Sequence, residues 1–259
     1  GAVNAVFSLT SSEAASGVAT HSSGNHAQAL ALAARLKGVP AYIVMPHTAQ
    51  KVKVDAVRGY GAEVFFSEST QRSREETLEA VVKRTGAAFI HPYDNPQVIA
   101  GQGTCALEVF REIPDLDIIM TPVGGGGLLS GTAIATHHLS PETAVIAGEP
   151  LGASDAHQSF VSGRLVPSEN PKTIADGLLT SLGAITFPII QELVTDIICV
   201  PDEEIIRAMR LVWERMKIVI EPSAAVPLAV VLSEALPVKG KRVCIVFSGG
   251  NVDLGRLPF

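Results

Sequence analysis

Val123 Gly124 Gly125 Gly126 Gly127 Leu128 Leu129 decides how this chain is read: the run follows an apolar, strand-like stretch and opens a helix-like one. Four adjacent glycines free the backbone to turn its N–H groups toward one point, where the dipole at a helix start also favours an anion. The run reads as a phosphate seat, with a plain flexible glycine turn as the competing reading. It lacks the GxGxxG spacing of dinucleotide-binding loops, and no Gly-Lys-Ser/Thr follows as in a Walker loop.

Two further loops share this setting. Thr20 His21 Ser22 Ser23 Gly24 Asn25 His26 and Phe247 Ser248 Gly249 Gly250 Asn251 Val252 Asp253 each follow an apolar strand-like run and set small hydroxyl and amide side chains beside glycine. Strand ends are where open α/β sheets bind their ligands.

Around these loops, strand-like stretches at 41–45, 62–66, 87–91, 117–123, 143–149, 196–200 and 241–247 alternate with helix-like stretches such as 48–60, 73–85 and 102–113. Continuous apolar strands separated by helices predict parallel sheets covered on both faces. Ser73 with Glu76 reads as a capping box, and Asp202, Glu203 and Glu204 place acid on a helix N-terminus. Ile205, Ile206, Met209, Val212 and Met216 have core-facing helical spacing, so Trp213 and the methionines read as packing residues. Pro92 and Asp94 Asn95 Pro96 carry turn chemistry and mark a domain crossing.

The 259 residues, 47% hydrophobic and 18% charged, suffice for one or two domains with a sizeable core. A net charge of −6 without a Lys/Arg-rich run argues against a nucleic-acid or anionic-membrane surface, so the expected partner is a small molecule. Cys105, Cys199 and Cys244 are odd in number, far apart and set in apolar stretches; they read as reduced core residues, which fits the cytoplasm. No run reaches the roughly 18 apolar residues of a membrane helix, and no basic region precedes an apolar core at the start. Because Gly1 falls inside a helix-like stretch, a segment upstream of it is expected.

The segments at 22–26, 99–104 (Ile-Ala-Gly-Gln-Gly-Thr), 124–128, 173–177 (Thr-Ile-Ala-Asp-Gly), 221–223 (Glu-Pro-Ser) and 248–253, taken in this order, span nearly the whole chain. In this combination the chain resembles the fold-type II pyridoxal phosphate enzymes, specifically the serine racemase and serine/threonine dehydratase group. The resemblance implies an α/β fold of the tryptophan-synthase-β type: two three-layer domains with mostly parallel sheets. A small domain at 17–94 would carry the Ser-Ser-Gly-Asn-His loop, and a large domain of 1–16 and 95–259 would carry the phosphate loop and Ser248. Closure of the small domain would bring Ser23 over the substrate and exclude water. A homodimer is implied as well, and a nucleotide effector is left open.

The family also supplies roles. Gly124, Gly125, Gly126 and Gly127, with Leu128, would hold the phosphate of pyridoxal 5′-phosphate, Asn25 would bond the phenolic oxygen, and Ser248 would face the pyridine nitrogen. Ser22, Asn25 and His26 would receive the substrate carboxylate. Ser23 matches the racemase acid/base on the cofactor face opposite the Schiff-base lysine, a position where dehydratases often carry alanine. Inversion at Cα needs proton transfer on both faces, so this hydroxyl makes racemisation feasible; a helix cap is its competing reading. Glu149, Ala153 through its carbonyl, and Asp155 match a loop offering hard oxygen ligands to Mg²⁺ or Ca²⁺, with a solvated loop as the alternative. Arg74 matches a position near the active-site entrance, or is a helix-surface arginine.

Two departures stand out. The Schiff-base lysine of the family would lie just before Gly1, and none of the eight lysines, Lys37, Lys51, Lys53, Lys83, Lys172, Lys217, Lys239 and Lys241, has its Ser-x-Lys context. The polypeptide as written is therefore expected to be inactive in the family's amine chemistry, and the missing stretch to belong to the complete protein. Tyr93 stands where some racemases have asparagine, which shifts the balance toward a dehydratase. The expected activity is racemisation or α,β-elimination of L-serine or a related β-hydroxy amino acid such as L-threonine. The alternative is a non-catalytic or truncated relative that binds a phosphorylated ligand. A nicotinamide-dependent oxidoreductase is disfavoured by the absent GxGxxG and its acidic partner.

Overall fold

The computed structural model describes residues 1–259, the side chain of Gln71 excepted. The chain divides into two compact units, 1–101 and 102–259.

In the first unit the elements run α1 (Ala2–Ser8), α2 (Ser11–Ala14), β1 (Val18–His21), α3 (Asn25–Lys37), β2 (Ala41–Pro46), α4 (Lys51–Gly59), β3 (Glu63–Ser67), α5 (Gln71–Thr85) and β4 (Ala88–Phe89). The four strands form an all-parallel sheet in the order β3-β2-β1-β4. Alternate residues of each strand feed opposite faces. Val18, Ile43 and Met45 pack with Leu30, Ala31 and Val57 on one side, and Ala19 and Val44 with Leu78 and Val81 of α5 on the other.

Residues 1–16 cluster with this unit, where Ala2, Ala5 and Val6 of α1 are buried against Ala27 and Leu30 of α3. Lys37 secures the arrangement: its Nζ donates to the carbonyls of Val6 (2.8 Å) and Leu9 (2.6 Å) at the end of α1.

The helix α6 (Pro96–Glu112) leads into the second unit, followed by β5 (Ile118–Pro122), α7 (Gly127–Leu139), β6 (Ala144–Pro150), α8 (Asp155–Ser162), α9 (Thr186–Leu193), β7 (Asp196–Val200), α10 (Asp202–Met216), α11 (Pro222–Leu232) and β8 (Val243–Ile245). Its parallel sheet has the order β7-β6-β5-β8. Ile118, Met120 and Ile146 pack under α10 and α11 through Ile205, Met209, Val212 and Val226. Ile119, Val145 and Ile197 pack under α7 and α9 through Leu129, Ala133 and Ile190. Each unit is thus three layers, helices on both faces of a parallel sheet, as predicted.

Some local expectations change. α5 starts before Ser73: Thr70 is its N-cap and accepts from the Ser73 N–H (3.2 Å), while Ser73 Oγ accepts from the Glu68 N–H (3.1 Å). α6 begins at Pro96, whose fixed φ suits a first turn, and Asn95 Oδ1 accepts the Gln97 N–H (2.8 Å). Met216, the last residue of α10, is 53% exposed rather than core-facing.

Both sheets reverse their winding. In the first unit the chain moves outward from β1 through β2 to β3 and then returns to place β4 on the other side of β1; in the second, β5, β6 and β7 are followed by β8 beside β5. Such a switch point splays the loops after its two central strands and opens a crevice at their carboxyl ends.

Candidate active site

At the switch point of the second unit, Met120 and Ile245 are paired across β5 and β8, and the Val246 N–H donates to the Met120 carbonyl (3.0 Å). The two strands then run directly into the glycine loop and into Ser248, which therefore lie on one edge of the sheet. Gly126 is the N-cap of α7 with φ +87°, a conformation that side chains disfavour. Its carbonyl accepts the Ser130 N–H (2.8 Å), the first bond of the helix. Gly125 and Gly126 are buried, yet among the described residues the N–H groups of Gly124, Gly125 and Gly126 make no hydrogen bond. Buried backbone donors are otherwise almost always paired. Three in succession at a helix N-terminus are the donor set an anion requires.

The floor of this cradle comes from far along the chain. A Cβ on Gly124 would stand 3.1 Å from Leu178 Cα, and one on Gly126 would stand 2.7 Å from Ile190 Cδ1. The Gly177 N–H donates to Ser223 Oγ (3.0 Å). Asp202 accepts from Thr173 Oγ1 (2.5 Å) and from the Ile174 N–H (2.9 Å), fixing the start of the same segment. Glu221, 2% exposed, donates its N–H to the Gly249 carbonyl (3.0 Å) and accepts the Asn251 N–H at Oε2 (3.1 Å). It clamps the loop that bears Ser248. Ser248 is half-buried, and among the described residues its hydroxyl makes no hydrogen bond. The segments at 124–128, 173–177, 221–223 and 248–253, scattered in sequence, are thus one neighbourhood.

Beyond the end of β6, Glu149 (1% exposed) and Asp155 (4%) are both buried, with Ala153 between them in a short 3-10 turn. Glu149 accepts the N–H groups of Ala156 and His157 (2.8 Å each) at the start of α8. Burial, with the Asp155 charge added, outweighs these bonds and pushes the Glu149 carboxyl up to about 8. Burial also raises Asp155 to about 6; the nearby Ser168 hydroxyl favours its charge without a hydrogen bond of normal geometry. Cys199 Sγ lies 3.8 Å from Glu149 Oε2, and burial pushes that thiol to about 12. Among the described residues neither buried carboxylate has a cationic partner, a setting that suits a divalent cation. Among the described residues no three His, Cys, Asp or Glu side chains form a ligand cluster, so carbonyl oxygen and water would complete the shell.

In the first unit the switch point lies between β1 and β4. Ser22 and Ser23 follow β1 and are half-buried; the Ser22 N–H donates to the Val44 carbonyl (3.1 Å), and Ser22 Oγ accepts the Gly24 N–H (3.4 Å). The N-cap of α3 is Gly24 and no side chain caps it, so Ser23 is not a helix cap. Asn25 is exposed on the first turn, beside His26. His26 is held neutral, its pKa lowered to about 3 by burial despite the Ile90 carbonyl.

Beneath this loop His21, Phe89, His91 and Tyr93 form an aromatic cluster, with His21 and His91 edge-on at 5.7 Å and His91 and Tyr93 edge-on at 4.6 Å. Burial lowers His21 to about 4 and also depresses His91. His91 Nδ1 accepts the Asp94 N–H (2.9 Å), which fixes the neutral ring with its proton on Nε2 and pins the turn after β4. Arg74 is half-buried in α5, and burial lowers its pKa; it is not a plain surface arginine.

The sequence reading gave no role to His21, although it lies in the 20–26 loop, nor to His91 or Thr186; the contacts of each are ones that only the folded chain creates.

The family model for pyridoxal-phosphate dependent enzymes matches residues 1–249. A β-hydroxyaspartate dehydratase of Paracoccus denitrificans is 49% identical over 259 residues, covering 100% of this chain and 82% of the relative. A serine racemase of Arabidopsis thaliana is 49% identical over 262 residues, covering 99% of this chain and 79% of that one. The structure of maize serine racemase superposes with a TM-score of 0.95 at 42% identity, covering 98% of this chain and 79% of the other.

Proposed function

This chain belongs to the pyridoxal-phosphate dependent enzymes, and from that premise we propose that it racemises L-serine or a related β-hydroxy amino acid, or removes water from it by α,β-elimination. Pyridoxal 5′-phosphate, when bound, supplies an electron sink that acidifies the α-proton of an amino acid. The observation that carries the reading is the set of N–H groups at 124–126 that make no hydrogen bond among the described residues, sharing a sheet edge with the equally unengaged Ser248 hydroxyl.

In this reading, the N–H groups of Gly124, Gly125, Gly126 and Gly127, with the turn entering Leu128, hold the phosphate. Ser248 Oγ meets the ring nitrogen as a neutral partner, so the sink stays tempered. Asn25 orients the phenolic oxygen, and Ser22, Asn25 and His26 seat the substrate carboxylate. His26 does so as a neutral donor, since burial denies it a charge. Ser23 Oγ moves a proton to or from Cα. With the α-proton removed from the opposite face, a proton from Ser23 gives the enantiomer; if the β-hydroxyl leaves as water instead, hydrolysis of the resulting enamine gives a keto acid and ammonia.

The test supplies L-serine, L-threonine and 3-hydroxyaspartate to the protein as its gene encodes it, with pyruvate and D-serine measured from serine. Neither product from serine, alongside turnover of 3-hydroxyaspartate, would move the substrate to the dicarboxylic class. No turnover of any of the three would favour a non-catalytic binder. Ser23→Ala is expected to lower racemisation by about 10²-fold or more while elimination survives, the usual size of a lost acid/base group.

Glu149, Asp155 and the Ala153 carbonyl are read as a divalent-cation site, supported by the buried carboxylate pair. Mg²⁺ or Ca²⁺ at about a hundredfold excess over Kd should stabilise the fold by about 2.7 kcal/mol, seen as a rise of several degrees in Tm. Asp155→Asn should abolish the rise, and an unchanged response in that variant would discard the site. A homodimer is part of the same reading and is checked by analytical ultracentrifugation.

A further inference from the structure

We propose that Thr186 is a positioning residue for the phosphate seat, fixing the orientation of the Gly125–Gly126 peptide without touching the ligand. The inference rests on the reading of 124–127 as that seat. A Gly-Gly peptide has little intrinsic preference between its two faces, because neither flanking residue has a Cβ to penalise a flip. Left to itself, the Gly126 N–H could point either into the loop's concavity or back into the protein.

Thr186 resolves this. It is fully buried, and its Oγ1 donates to the Gly125 carbonyl (2.8 Å). The direction of that bond is set from behind, where the Gly183 N–H donates to the same oxygen (2.8 Å). The hydroxyl proton is thereby turned toward Gly125; the Gly183 carbonyl, at 3.4 Å, is the more distant acceptor. In a trans peptide C=O and N–H point in opposite directions, so anchoring the Gly125 oxygen on Thr186 aims the Gly126 N–H away from it. Thr186 also closes the space beneath: a Cβ on Gly126 would stand 3.0 Å from Thr186 Cβ. A flipped peptide would face the Thr186 hydroxyl with a donor and leave a buried carbonyl without its partner.

The test compares binding of pyridoxal 5′-phosphate and of pyridoxal, which lacks the phosphate, in the protein as encoded and in Thr186→Val and Thr186→Ser. The readout is the ratio of the two dissociation constants from visible absorbance titrations. Thr186→Val, nearly isosteric but without the hydroxyl, should lower the preference for the phosphorylated ligand about tenfold while pyridoxal binding holds. Thr186→Ser should retain the preference. An unchanged ratio in Thr186→Val, or an equal loss for both ligands, overturns the assignment. If the parent protein shows no preference for the phosphorylated ligand, the phosphate seat itself fails, an outcome distinct from a failure of Thr186 alone. Should Thr186→Val not fold, Thr186→Ala, which adds no atom to the site, carries the same comparison.

Discussion

Gly126→Ala is expected to abolish saturable binding of pyridoxal 5′-phosphate at micromolar concentrations and to destabilise the second unit by about 2–5 kcal/mol. At φ +87° an added Cβ costs about 1–2 kcal/mol of backbone strain. The Cβ would also stand 2.7 Å from Ile190 Cδ1 and 3.0 Å from Leu182 Cδ2, an overpacking that adds about 1–3 kcal/mol. The relief open to the chain is to move the loop, which redirects the N–H groups proposed to face the phosphate. Each hydrogen bond to a charged group is worth about 1.5–3 kcal/mol, so misaiming two of them costs at least 10²-fold in affinity. Gly163→Ala is the control: Gly163 has φ +67° but open space around its Cα, so it should show the strain alone and normal cofactor binding. Equal cofactor affinity in the two variants would remove Gly124–Gly127 from the site.

Acidification should unfold the first unit ahead of the second. His21 and His26 titrate near 6.5 when unfolded but near 4 and 3 when folded, chiefly because burial disfavours their charged forms, with His91 adding to the same effect. Arg74 further lowers His21, and Glu75 opposes it. A lowered histidine pKa means the unfolded chain takes up protons first. The stability is therefore fully present above pH 6.5 and is lost as pH falls toward 4. Between pH 6.5 and 5 each histidine should remove about 2 kcal/mol. Hydrogen exchange at the amides of β1 and α3, followed from pH 7 to 5, reads this directly. Trp213, the single tryptophan, lies in the second unit and gives a separate optical signal. His21→Gln should flatten the slope for the first unit, and an exchange rate whose stability component ignores pH over this range would show that the histidines are not held neutral by burial.

What was legible in the sequence was what repeats locally. Strand-helix alternation, apolar period and glycine runs are written in neighbouring residues, so the parallel sheets and the positions of the glycine loop and the Ser22–His26 loop at strand ends were legible. The capping box at Ser73 misled because Thr70, three residues upstream, takes the N-cap and accepts the Ser73 N–H, which leaves Ser73 inside the first turn. The packing of 1–16 was not legible for another reason: the small alanine face of α1 carries no sign of which helix it will meet. Thr186 illustrates the limit of sequence reading, since it reaches Gly125 across a separation of 61 residues and matters through the direction of one hydroxyl proton. His91 is the same kind of case, because its task is set by which ring nitrogen accepts a turn N–H.

The reversed winding of both sheets separates the parts of this protein that can vary from those that cannot. Ile43, Met45, Ile119 and Met120 are locked between helix layers, where a change of one methyl group is felt throughout the fold. Residues of the rim loops, such as Ser22 and Ser23, lie outside those layers and are less constrained by them. Divergence in substrate choice among chains of this build is to be sought along those two crowns of loops, where exchange of a few side chains leaves the layered body intact.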